Sequence, residues 1–130
     1  MNERDLRNWF GRYVTALNRH EFGGMDEFID DEVLLDGNPG TRDDVVVALR
    51  GIVDAVPDFR WEVKEVAIDR DRFAVRAANT GTPVKEWLGV PATGKSFEIN
   101  EFVVYTVAEG RFVKMTNLHD SAELRRQLTA

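Results

Sequence analysis

The dominant hydrophobic period of this chain changes near Pro57, and that change limits its fold more than any other feature. Before it, apolar residues recur at helical spacing. Leu6, Trp9, Phe10, Tyr13, Val14 and Leu17 form one stripe, with Arg7, Arg12 and Arg19 off it. Asn2 or Asp5 caps its start, and Asn18-Arg19-His20 marks its end. A short second helix follows Gly23-Gly24, with Met25, Phe28 and Ile29 on one side. Glu32 to Asp36 reads as a short strand, and Gly37-Asn38-Pro39-Gly40 reads as a turn. Thr41 is the N-cap of a third helix, with Asp43 and Asp44 in a first turn that favours negative charge. Its apolar face is Val45, Leu49, Ile52, Val53 and Val56.

After Pro57 the period is two. Phe59 to Val66, Phe73 to Ala78, Phe97 to Val107 and Phe112 to Leu118 read as strands. Asp69-Arg70-Asp71-Arg72 closes the first hairpin. Ala108-Glu109-Gly110-Arg111 closes the last, with Gly110 at the left-handed position of a three-residue loop. A long connection runs from Gly81 to Lys95, and a short helix from Ser121 to Leu128 ends the pattern. Helices followed by strands predict one α+β domain over residues 1–130, with helices on one face of a mainly antiparallel sheet. A twisted sheet covered in this way leaves a hollow, the default place for a ligand.

The last hairpin points to what lies in that hollow. One predicted face carries Phe97, Ile99, Glu101, Val103, Tyr105, Val113, Met115, Asn117 and His119. The other carries Glu98, Asn100, Phe102, Val104, Thr106, Phe112, Lys114, Thr116, Leu118 and Asp120. The first face is apolar except for Glu101, Asn117 and His119. Each buried polar group costs roughly 1–3 kcal/mol unless it is paired. Two readings stay open. The three residues serve a site, or they only satisfy ion pairs and backbone groups. His119 and Asp120 are adjacent, so a register slip of one exchanges which of them faces inward. Asp120-Ser121-Ala122-Glu123 also has the form of a helix start, with Asp120 as cap. His20, at the end of the first helix, suits that helix's dipole. Trp9 and Tyr13 on the first stripe are core residues or pocket residues with a polar tip.

Composition removes several classes of function. The chain has 17 basic and 23 acidic residues, a net charge of −6, and is a poor ligand for phosphate backbones. It has no cysteine, hence no thiolate nucleophile or zinc-thiolate site. No apolar run is long enough to span a bilayer, and residues 1–10 contain no signal-peptide core. These features predict a cytoplasmic protein that binds neither nucleic acid nor membrane. Hydrophobic residues make up 43% of the chain, enough for a true core.

TALNRHE, VPDFRWEV, EWLGVPATGKSFE and EGRFVKMTNLHDSAELRRQL, in that order, resemble segments of the SnoaL-like polyketide cyclases, a family with the nuclear-transport-factor-two-like cone fold. TALNRHE is similar to the family's ALNxHD, and VPDFRWEV to FPDxxxxV. EWLGVPATGKSFE is similar to xFLGIPPTGKxxE, and EGRFVKMTNLHDSAELRRQL to DGRIVExWxxxDxxxLxxQL. The chain departs from the family at Thr116, where tryptophan is usual, and at Pro83, Lys85 and Thr106. The resemblance implies a strongly curved, cone-shaped sheet with helices on its concave face, and a homodimer. It implies a ring-closing intramolecular aldol reaction, or a related isomerisation, on an apolar carbonyl substrate without metal or cofactor. Asp120 matches the family's acid/base aspartate.

On that reading Asp120 is the catalytic acid/base and His119 assists it. Trp9, Tyr13, His20, Trp87, Glu101, Met115, Thr116 and Asn117 bind the substrate. The rival reading is a non-catalytic carrier or accessory subunit of the same fold, favoured by the departures. A third is an isomerase or epoxide hydrolase, which requires a second inward carboxylate such as Glu101.

Overall fold

A computed structural model describes all 130 residues. The first half supplies α1 (Glu3–Asn18), a 3-10 turn at Phe22–Glu27, β1 (Ile29–Leu35), β2 (Asn38–Thr41) and α2 (Arg42–Ala55). The second half supplies β3 (Arg60–Asp69), β4 (Arg72–Gly81), β5 (Phe97–Ala108), β6 (Arg111–His119) and α3 (Ser121–Thr129). The six strands form one open sheet in the order β2-β1-β6-β5-β4-β3. All neighbours are antiparallel except β1 and β6, which run parallel, so the sheet is mixed. This is the α+β architecture expected from the change of period.

Local chemistry sets the helix ends. Asn2 Oδ1 accepts from the Asp5 amide at 2.8 Å and starts α1. Thr41 and Asp44 cap α2 reciprocally: each side chain accepts from the other's backbone N–H, at 3.2 and 2.9 Å. The stripe of α1 faces the sheet, with Leu6, Trp9, Phe10, Tyr13 and Leu17 buried. Each such side chain contributes roughly 1.5–3 kcal/mol on leaving water. Gly81 stands where β4 passes the corner after α2. A Cβ there would lie 2.4 Å from Val56 Cγ1, so no larger residue fits without movement.

Four local expectations are corrected. Asn38 to Thr41 is a strand, and the turn is Asp36-Gly37, both with positive φ. Pro39 is tolerated because β2 lies at the sheet edge. Ile29 opens β1 and does not belong to the short helix. The last hairpin has a two-residue loop, Glu109-Gly110, with φ of 52° and 77°, and not a three-residue loop. The irregularity comes later. Val107 pairs with Phe112 and Thr106 with Lys114, so Val113 is an extra residue. Phe112 therefore points inward and is fully buried, while Val113 is not. From Met115 onward the predicted faces hold.

Candidate active site

A cavity of about 220 Å³ lies between α1, α2 and the concave face of the sheet. An apolar cavity of about 150 Å³ holds benzene, so this one admits a larger ring system. Most of its wall is apolar: Phe10, Val14 and Leu17 from α1, Val45, Leu49 and Ile52 from α2, and Val75, Val103 and Met115 from the sheet. Asp36, Asp44 and Asn117 also line it and are exposed, which locates its mouth. Tyr13, Glu101 and Tyr105 line it and are buried, which locates its floor.

Strand register brings the polar groups together. Glu101 on β5 pairs directly with His119 on β6, and Val103 pairs with Asn117. On the other side Glu101 pairs with Ala77, which places Asn79 two residues along the same face of β4. Asn79 is fully buried and bridges the other two: its Nδ2 donates to Glu101 Oε1 at 3.1 Å, and its Oδ1 accepts from His119 Nδ1 at 2.8 Å. That second bond fixes the neutral imidazole with its proton on Nδ1 and its lone pair on Nε2. Asn117 Nδ2 donates to Glu101 Oε2 at 3.2 Å, and His119 Nε2 lies 3.6 Å from the same oxygen.

Burial lowers the His119 pKa below its ordinary value, and the opposing Glu101 charge offsets only part of that. The neutral imidazole is therefore available as a base. Burial also raises the Tyr13 and Tyr105 hydroxyls, and the Glu101 charge adds to both shifts, so these phenols remain protonated donors.

Of the residues expected in the site, Tyr13, Glu101, Met115, Asn117 and His119 line the cavity. Trp9 does not. It is core, with ring centroids 4.6 Å from Phe112 and 5.8 Å from Phe28. Trp87 packs edge-on behind His119 at 5.2 Å and supports that ring from outside the cavity. His20 has φ of 57°, and its Nε2 donates to the Phe59 carbonyl at 2.9 Å, tying the end of α1 to the start of β3. Thr116 is exposed on the opposite face of β6. Asp120 also lies outside. Its Oδ1 accepts from the Glu123 amide at 3.1 Å and caps α3, beside Lys64, Arg76 and Glu98 on the outer surface. The β6 alternation that turns His119 inward turns Asp120 outward.

Asn79, Tyr105, Trp61, Asp36 and Asp44 line or support the site and are absent from the expected set. Asn79 follows Phe73, Val75 and Ala77 at period two, a signal present in the sequence.

The sequence model of the SnoaL-like polyketide cyclases matches residues 8–128. No curated protein matches the chain. Among solved structures, a SnoaL-like polyketide cyclase from Agrobacterium tumefaciens superposes with a TM-score of 0.89 at 25% identity, over 95% of this chain and 97% of that one. TsrD from Streptomyces laurentii superposes with a TM-score of 0.88 at 21% identity, over 98% and 97% of the two chains. IdmH from Streptomyces antibioticus, a candidate polyketide cyclase, does so with a TM-score of 0.84 at 22% identity, over 95% and 98%. The last two similarities are of fold.

Proposed function

The chain belongs to the SnoaL-like polyketide cyclase family, and from that premise we propose that it is a proton-transfer enzyme for a neutral, polyketide-like carbonyl compound, with Glu101 and His119 as its acid/base groups. One observation carries this reading: a hydrogen-bonded Glu101–Asn79–His119 cluster at the inner end of a mostly apolar cavity.

The chemistry follows from the parts. The Glu101 carboxylate takes a proton from a carbon between two carbonyls. The C–H electron pair becomes a C=C bond, and the carbonyl π pair moves to oxygen as an enolate. The enolate carbon then attacks a second carbonyl of the same molecule, forming a C–C bond. The resulting alkoxide recovers the proton from Glu101. His119, whose Nε2 carries the lone pair and accepts only the long 3.4 Å contact from Asn117 Nδ2, relays the proton when the Glu101 and alkoxide oxygens lie apart. The apolar walls hold the folded-back chain, which supplies the proximity that ring closure requires.

The rival reading, a carrier without turnover, has one observation in its favour: both Glu101 oxygens already accept a hydrogen bond. Deuterium exchange separates the two. With a 1,3-diketone in D₂O, the enzyme accelerates loss of the central C–H signal, whereas a carrier binds the diketone without accelerating it.

A further inference from the structure

Three features of the cavity bear on where negative charge goes when a proton leaves the substrate. First, no lysine or arginine lines it, so no cation is present to meet an oxyanion. Second, the amide N–H groups of Asn79 and Asn117 and the Nδ1–H of His119 are already directed at Glu101 or at one another. Third, Tyr13 and Tyr105 line the cavity, are 2% and 6% exposed, and have no hydrogen-bond partner in the protein. Every fully occluded side-chain polar atom in the chain has a partner, so these two hydroxyls must touch open space. The open space beside both residues is the cavity. A buried phenol that donates to nothing costs free energy, and a ligand oxygen would remove that cost.

We propose that Tyr13 and Tyr105 are a paired donor site for the enolate oxygen of the substrate, resting on the proton-transfer reading above. The rings are fixed by packing and not by their hydroxyls. Their centroids lie 4.9 and 4.5 Å from that of Phe112, and 6.5 Å from each other. The donors are therefore held in place before substrate arrives, the condition under which such groups favour a transition state. Glu101 influences both phenols, which places them within its field. When Glu101 takes the proton, the one negative charge of this inner region moves to the substrate oxygen. The phenols then face that charge at its new position, without a change in the net charge they meet. In the balanced step the C–H pair becomes C=C, the proton goes to Glu101, and the oxygen accepts two O–H donors.

The test uses Tyr13→Phe, Tyr105→Phe and the double variant, assayed by deuterium exchange on a series of 1,3-diketones of graded C–H acidity. Neither hydroxyl is bonded within the protein, so the variants keep the wild-type melting temperature. Each single change lowers the exchange kcat by roughly 100-fold with KM little altered. The loss is largest for the least acidic diketones, which depend most on stabilisation of the enolate. A purely packing role would not give that dependence on acidity. Unchanged kcat in all three variants, with exchange still lost in Glu101→Gln, overturns the donor site and leaves the proton-transfer reading intact. No exchange by the wild-type protein overturns both.

Discussion

Asn79 and His119 are joined by a 2.8 Å hydrogen bond that decides which imidazole nitrogen carries the proton. The same amide holds Glu101, so one fully buried side chain orients both candidate acid/base groups. Burial of His119 also has a thermodynamic consequence. The His119 pKa is lower in the folded protein than its value of about 6.5 in an unfolded chain. Below about pH 6.5 the unfolded chain binds the proton first, so folding stability is fully present above that pH. It declines as pH falls toward the folded-state pKa. Urea unfolding at a series of pH values should show a steeper loss between neutral and mildly acidic pH for the wild type than for His119→Asn. Equal slopes would mean that His119 is not held neutral.

Asp120 is a helix cap, and its variants should behave as cap variants. Asp120→Asn keeps an acceptor for the Glu123 amide and should leave both stability and proton exchange unchanged. Asp120→Ala should cost about 1 kcal/mol and lower the melting temperature by a few degrees. Scanning calorimetry with an exchange assay on the same samples checks both. Loss of exchange in a fully folded Asp120→Asn protein would return the acid/base role to this residue.

Charge at the cavity predicts ligand preference. Asp36, Asp44 and Glu101 line it and no cation does. At an effective dielectric of about 20, a ligand carboxylate roughly 8 Å from one such group meets about 2 kcal/mol of repulsion. An aromatic β-keto methyl ester should therefore bind at least roughly tenfold more tightly than its free acid at the same pH. Titration calorimetry on the matched pair tests this, and tighter binding of the acid would contradict it.

The outer face of the sheet bears on self-association. Phe102, Val104 and Leu118 are 52%, 51% and 71% exposed, and Phe102 lies directly opposite Leu118 in the β5–β6 register. An apolar patch can be self-complementary, as a two-fold interface requires. We propose that a second copy of the chain covers it. Sedimentation should find a dimer for the wild type at micromolar concentration and a folded monomer for Leu118→Lys. A wild-type monomer would contradict the proposal.

Much of this architecture was legible as period. The α1 stripe, the α2 cap and the inward set Glu101, Val103, Tyr105, Asn117 and His119 follow from spacing alone. The failures have physical causes. Phe112 and Val113 exchange faces because a bulge after the hairpin leaves no mark in residue type. Pro39 mimics a turn residue because an edge strand does not require its N–H. Asn79 is hard to recognise because an apolar run broken by a polar residue resembles a strand end. Asp120 carried two signals at one position, a capping pattern and a family match. The capping pattern describes its observed contacts. Trp9 and Trp87 pack around the site without lining it, since a helical stripe or a loop does not reveal which aromatic meets void and which meets another ring.

The central question is which carboxylate moves the proton. The measurement is the rate of deuterium exchange into a bound 1,3-diketone for wild type, Glu101→Gln and Asp120→Asn, each shown to be folded by circular dichroism. Glu101 as the base predicts exchange in the wild type and in Asp120→Asn, and its loss in Glu101→Gln. Exchange that survives in Glu101→Gln and disappears in Asp120→Asn would contradict it.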